Sequence, residues 1–147
     1  MRLFLDVCAL NRPHDDQQQT RIFIETQAVH SVIQGIENGE HELVASDSLT
    51  LEIDRTPDRE RRARVRNTLR LARAVHSVTL ADLRRAATLI GRGFGTLDAL
   101  NLACAEALEA DAFLTTDDAL IRRARRLADE LNVRVLNPVE WIAEGLQ

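Results

Sequence analysis

The stretch Gly95-Thr96-Leu97-Asp98-Ala99-Leu100-Asn101-Leu102-Ala103-Cys104-Ala105-Glu106-Ala107-Leu108 decides how the chain is read. Apolar residues recur almost all the way round a helical wheel, which predicts a buried helix. Thr96 reads as the N-cap, so Asp98 falls in the first turn, beside the unpaired amides at the helix's positive end. An ionised carboxylate at the start of a buried helix is expensive unless a positive charge meets it. Either the chain supplies that charge or it leaves the acid for something else to neutralise.

Short apolar runs flank this helix on both sides. Leu3-Phe4-Leu5 is ended by Asp6, as in a buried parallel strand with a carboxylate at its C-terminal end. A helix is expected from about Asp16 to Ile36, with Ile22, Val29, Ile33 and Ile36 inward and Gly35 and Asn38-Gly39 closing it. Leu43-Val44-Ala45 is a second strand, and Ser46 to Asp54 a short helix carrying Glu52. Thr56-Pro57 reads as a restart, with Thr as N-cap of an arginine-rich helix reaching about Arg73. Val75 to Val78 is a brief strand, and Thr79-x-x-Asp82 a capping box whose helix ends near Gly91. Beyond the central helix come the strand Ala112–Thr115 and the turn Thr116-Asp117-Asp118. A helix with Leu120, Ala124, Leu127 and Leu131 inward follows, then the strand Val133–Leu136 and a short helix opened by Asn137-Pro138. Alternation of strands and helices predicts a three-layer α/β/α fold around a central, mostly parallel sheet. With no repeat or compositional break, residues 1–147 read as a single domain.

Composition narrows the function classes. All 19 basic residues are arginine, and the missing lysine excludes a Walker A loop and the carboxylate-based phosphoryl-transfer families that need a lysine. A net charge of −4 excludes a generally basic nucleic-acid coat, so a polynucleotide would be met by local arginines or through metal ions. No apolar run reaches membrane-spanning length, and Asp6 interrupts the N-terminus too early for a signal peptide. Cys8 and Cys104 show no disulfide or metal-ligand spacing, which points to a reducing compartment, the cytoplasm. His14, His30, His41 and His76 are scattered, without metal-site spacing.

In an open parallel sheet, ligands sit beyond the C-terminal ends of the strands. Asp6, Glu52 and Asp117 are expected there, and Asp98 can face the same crevice. Each acid also has a plain structural use. Asp6 can cap a turn, Asp98 can be held by helix amides, Glu52 can be solvated, and Asp117 or Asp118 can cap the helix that follows. Together they say more than any one alone. Four converging acids call for a hard divalent cation, and such a cluster suits attack of water on a phosphodiester.

The matching segments are Leu3-Phe4-Leu5-Asp6, Ser46 through Glu52, Leu97-Asp98-Ala99-Leu100-Asn101-Leu102-Ala103 and Phe113-Leu114-Thr115-Thr116-Asp117. In their order and spacing, the chain resembles the PIN-domain family, the fold of VapC-type toxin ribonucleases. The resemblance implies a Mg2+- or Mn2+-dependent endoribonuclease acting on single-stranded RNA, the toxin of a type II toxin–antitoxin pair. It further implies a cognate antitoxin partner and a homodimer. Carried over by residue, Asp6, Glu52, Asp98 and Asp117 would hold metal and orient the attacking water, with Asp6 and Asp98 the principal ligands. Two positions depart from the pattern. Cys8 stands where the family usually carries Asn, and Asn101 where it usually carries His. Two other readings follow from the same fold: a non-cleaving module that binds RNA or protein, which Cys8 favours, and a housekeeping RNA-processing nuclease.

Overall fold

A computed structural model describes residues 1–146. Five strands, β1 (Arg2–Leu5), β2 (Glu42–Ser46), β3 (Ala74–His76), β4 (Ala112–Leu114) and β5 (Arg134–Leu136), form one sheet in the order β3-β2-β1-β4-β5. Every neighbouring pair is parallel. The chain winds outward from β1 to β3, then returns to lay β4 on the other side of β1. The order therefore reverses between β1 and β4, and a crevice opens there beyond the strand ends.

Burial follows that order. Leu3, Phe4 and Leu5 of β1 and all of β4 are buried, as strands covered on both faces must be, whereas Ala74 and Val75 on the edge strand are exposed. Phe4 and Phe113 are register partners whose rings stack with centroids 5.1 Å apart. That stack fixes β1 against β4 two residues before Asp6.

Among the described residues eight α-helices complete the three layers: α1 (Val7–Asn11), α2 (Thr20–Glu37), α3 (Asp47–Asp54), α4 (Arg59–Leu69), α5 (Leu80–Gly91), α6 (Thr96–Ala107), α7 (Asp118–Arg126) and α8 (Pro138–Gly145). The predicted capping box is present, with Thr79 Oγ1 accepting the Asp82 amide and Asp82 accepting the Thr79 amide. Among the described residues no helix is long and apolar enough to cross a membrane.

Several boundaries differ from the sequence expectation. Gly95, not Thr96, is the N-cap of α6, and no side chain caps that end. The approach is set instead by Gly93 at φ +102°, where a Cβ would collide with the Arg123 guanidinium. Asp58, not Thr56, caps α4, because its carboxylate takes the Glu60 and Arg61 amides together. That helix stops at Leu69 rather than Arg73, since the Arg73 amide is already bonded to the Leu43 carbonyl beside the sheet. Likewise α2 starts at Thr20, four residues after Asp16, because Asp16 turns back to accept the Gln18 amide. Helix α1 was not expected at all; five residues are too few for a periodic signal.

Phe113→Ala should cost about 3–5 kcal/mol in a denaturant melt, the range for a buried aromatic whose site cannot collapse. A loss under about 1 kcal/mol would mean that the stack does not hold β1 to β4.

Candidate acidic active site

Asp6 directly follows β1 and is 4% exposed. Its Oδ1 accepts the Ala9 amide at 3.0 Å, so it caps α1 as the plain structural reading proposes. Its Oδ2 accepts the Thr115 hydroxyl at 2.6 Å. Thr115 follows β4, so two neighbouring strand ends grip one carboxylate. The same Thr115 oxygen accepts the Asp117 amide at 3.1 Å, which places Asp117 next in line. Asp117 also serves as a cap, taking the Ala119 and Leu120 amides through Oδ1.

Asp98 is different. Among the described residues no amide donates to its carboxylate, although it lies in the first turn of α6 and is partly buried. Helix capping therefore does not account for it. One turn further on, Asn101 is almost fully buried and bridges to α3. Its Nδ2 donates to Glu52 Oε1 at 3.1 Å, and its Oδ1 accepts the Ser48 hydroxyl at 2.7 Å. Ser48 meets the Ser46 hydroxyl at 2.7 Å. Glu52 is thus aimed by α6 rather than left in solvent.

Among the described residues no arginine or histidine lies within ion-pair distance of Asp6, Glu52, Asp98 or Asp117. Among the described residues Asp98 has no positive partner. The electrostatic consequence is that burial pushes Asp6 up from 3.8 to about 7, against the opposing hydrogen bonds from Thr115 and Ala9, with Asp98 and Glu52 raising it further. Glu52 is raised by burial and by Asp98, less the effect of Asn101, and Asp98 by burial and by Asp117. Cys8 sits among all four acids, and burial together with their charges pushes its thiol up to about 12. Cys8 therefore stays a neutral thiol, not a nucleophile.

This donor set fits a hard divalent cation: carboxylates that repel one another and lack an ion-pair partner among the described residues, two of which, Glu52 and Asp117, line a crevice. The ring is loose. Among the described residues, the set of His, Cys, Asp and Glu side chains with ligand atoms mutually within 4.8 Å lies elsewhere, at His76, Asp82 and Cys104. Asp118 takes no part. It pairs with Arg21 at 2.7 Å, and that hydrogen bond, outweighing slight burial, holds its carboxyl below the usual range.

Comparison with known proteins adds the fold and nothing of the chemistry. No family model and no curated protein sequence matches the chain. Among solved structures, a chain of VapBC2 from Rickettsia felis, crystallised bound to a DNA fragment from the promoter, is similar. It has a TM-score of 0.57 and 12% identity, and the match covers 93% of this chain and 98% of that one. The two chains share a fold. That fold is the three-layer, PIN-like one.

Some residues of the site carry no sequence signal strong enough to single them out. Thr115, Ser46 and Ser48 act through one hydroxyl each, and such residues are common in turns. Arg55 is another. It lines a crevice of about 570 Å3 together with Cys8, Glu52, Asp117, Arg12 and Arg61. Arg12 is tied to Glu25 and Asp15, and Arg61 to Asp15. Arg55 has no ion pair among the described residues. By contrast, Arg64 and Arg66 of the predicted arginine-rich helix pair with Glu60 and Asp54 away from the crevice.

The raised carboxyls set the pH dependence of stability. Asp6, Glu52 and Asp98 hold protons more tightly folded than unfolded. Between the unfolded value of 3.8 and the folded value of about 7 for Asp6, the native state binds more protons, and stability falls as pH rises. For Asp6 the full loss is on the order of a few kcal/mol. Urea melts in EDTA at about pH 5 and about pH 8 should show it, and Asp6→Asn should remove most of the difference. An equally steep profile in the variant would place the titrating group elsewhere.

Proposed function

We propose that this chain, as a single domain, is a metal-dependent endoribonuclease that hydrolyses phosphodiester bonds in single-stranded RNA, and that it acts as the toxin of a toxin–antitoxin pair in the cytoplasm. One observation carries the reading: the charges of Asp6, Glu52, Asp98 and Asp117, from four segments, all act on the Cys8 thiol, and none of the four has an ion-pair partner among the described residues. The shared fold with a chain of VapBC2 supports an antitoxin partner.

In this reading Asp6, Asp98 and Asp117, with Glu52, hold Mg2+ or Mn2+, which would neutralise charge gathering on the phosphodiester under attack. The chain's own residues do the rest. Thr115 and the Ala9 amide fix the orientation of Asp6, so this ligand needs no reorganisation on loading. Asn101 takes the place of the family's histidine as an orienting group, leaving Glu52 Oε2 free to accept the proton of an attacking water. Arg55, which lines the crevice and has no ion pair among the described residues, would meet an RNA phosphate. The exposed apolar residues Val75, Leu80, Leu83 and Ile90 on β3 and α5 offer a surface for the second copy of a homodimer. The non-cleaving alternative draws on Cys8, a neutral thiol where the family carries Asn.

Asp98→Asn separates these readings. Removing a repelled, uncapped carboxylate should leave the metal-free protein as stable as wild type or more so. It should also abolish the rise in melting temperature on adding magnesium or manganese. RNA cleavage should fall by orders of magnitude, and EDTA should abolish it in the wild type. Cleavage that survives both the substitution and EDTA would overturn the reading, whereas metal binding without any cleavage would favour the non-cleaving module.

A further inference from the structure

We propose that His76, Asp82 and Cys104 form a second metal site, for a borderline-soft divalent ion of the zinc class, separate from the acidic crevice. The three residues come from three elements: the end of edge strand β3, the first turn of α5 and the middle of α6. Their spacing in sequence carries no metal-site pattern, yet one imidazole nitrogen, one carboxylate oxygen and one sulfur all lie within 4.8 Å of one another. His76 Nε2 and Asp82 Oδ2 are already 2.6 Å apart. Ligands around a tetrahedral zinc stand roughly 3.3–3.6 Å from one another. The cluster would reach that geometry by shifts of about 1 Å, the His76–Asp82 pair opening by that much.

The chemistry of each donor agrees. Asp82 Oδ2 is used by His76, the Thr79 amide and the Thr79 hydroxyl, and among the described residues Oδ1 accepts no hydrogen bond. Burial raises the Asp82 carboxyl, but those hydrogen bonds outweigh it and hold the group ionised. Cys104 is a free thiol at the floor, and His76 is partly exposed at the rim, where a water can complete the coordination. On binding, the thiol gives its proton to solvent and the sulfur bonds the ion as thiolate, while the proton that His76 Nε2 holds against Asp82 is given up to solvent and the ring keeps its other proton on Nδ1, so that Nε2 can bond the ion. A thiol and an imidazole select against magnesium, so the two sites would not compete for one ion. Ser48 stands between them, 3.9 Å from Cys104 Sγ and hydrogen-bonded to Asn101 on its other side. A bound ion would tie the edge strand to the two helices, one of which carries Asp98.

Cobalt is the probe, because a thiolate–Co2+ bond has a charge-transfer absorption that carboxylates and imidazole lack. Titrating the reduced full chain with Co2+ should produce that band at one equivalent, and zinc should displace it while excess magnesium does not. Cys8→Ser and Asp98→Asn should keep the band. Cys104→Ala should lose it. His76→Gln, at the partly exposed sheet edge, should keep the fold and weaken Co2+ binding by at least about tenfold. The proposal is overturned if wild type gives no band, if the band survives Cys104→Ala, if it is lost in Cys8→Ser, or if His76→Gln binds unchanged. None of these readouts needs RNA cleavage, so the site stands or falls independently of the ribonuclease reading.

Discussion

The structure depends on a carboxylate buried between two strand ends without a counter-charge. Asp6 is held by an amide of α1 and by a hydroxyl beyond β4, and neither neutralises it. Such a group is tolerated only where the surrounding packing is strong enough to impose it. The Phe4–Phe113 stack, with the buried Leu3–Leu5 of β1 and all of β4, supplies that packing immediately behind the acid. The sheet order does the rest, since only the reversal between β1 and β4 leaves a gap at that edge for a ligand to enter.

Two of the four acids have two roles at once. Asp6 and Asp117 cap helices in the ordinary way, and beyond the cap Asp6 accepts the Thr115 hydroxyl while Asp117 lines the crevice. Capping therefore does not argue against a role in the site; it explains how the carboxylates are oriented. Asp98 lacks that second role. No amide holds it, and burial beside Asp117 raises its affinity for protons. An acid that stabilises nothing in its own helix has its use outside the helix.

Where the arginines go is equally informative. Buried Glu25 draws in both Arg12 and Arg21, Asp15 draws in Arg61, and Asp118 takes Arg21. Pairs at the surface contribute little to stability. Their effect near the crevice is one of placement: the guanidinium groups are held along the rim and kept off the four carboxylates. These three guanidinium groups are matched by three carboxylates, whereas Arg55, which also lines the crevice, has no ion pair among the described residues.

Sequence alone determined the alternation of strands and helices, hence the parallel three-layer fold, because buried strands and amphipathic helices leave periodic apolar patterns. It also marked Asp6, Glu52, Asp98 and Asp117, because carboxylates at strand ends and in a buried helix are costly and stand out. Boundaries such as the Asp58 cap and the Gly95 start of α6 were decided by which backbone groups found partners in three dimensions. Only the tertiary structure showed that no arginine neutralises the acids, that Thr115 and Asn101 aim two of them, and that His76, Asp82 and Cys104 meet. Those facts depend on distances between segments far apart in the chain, and short-range spacing carries no record of such distances.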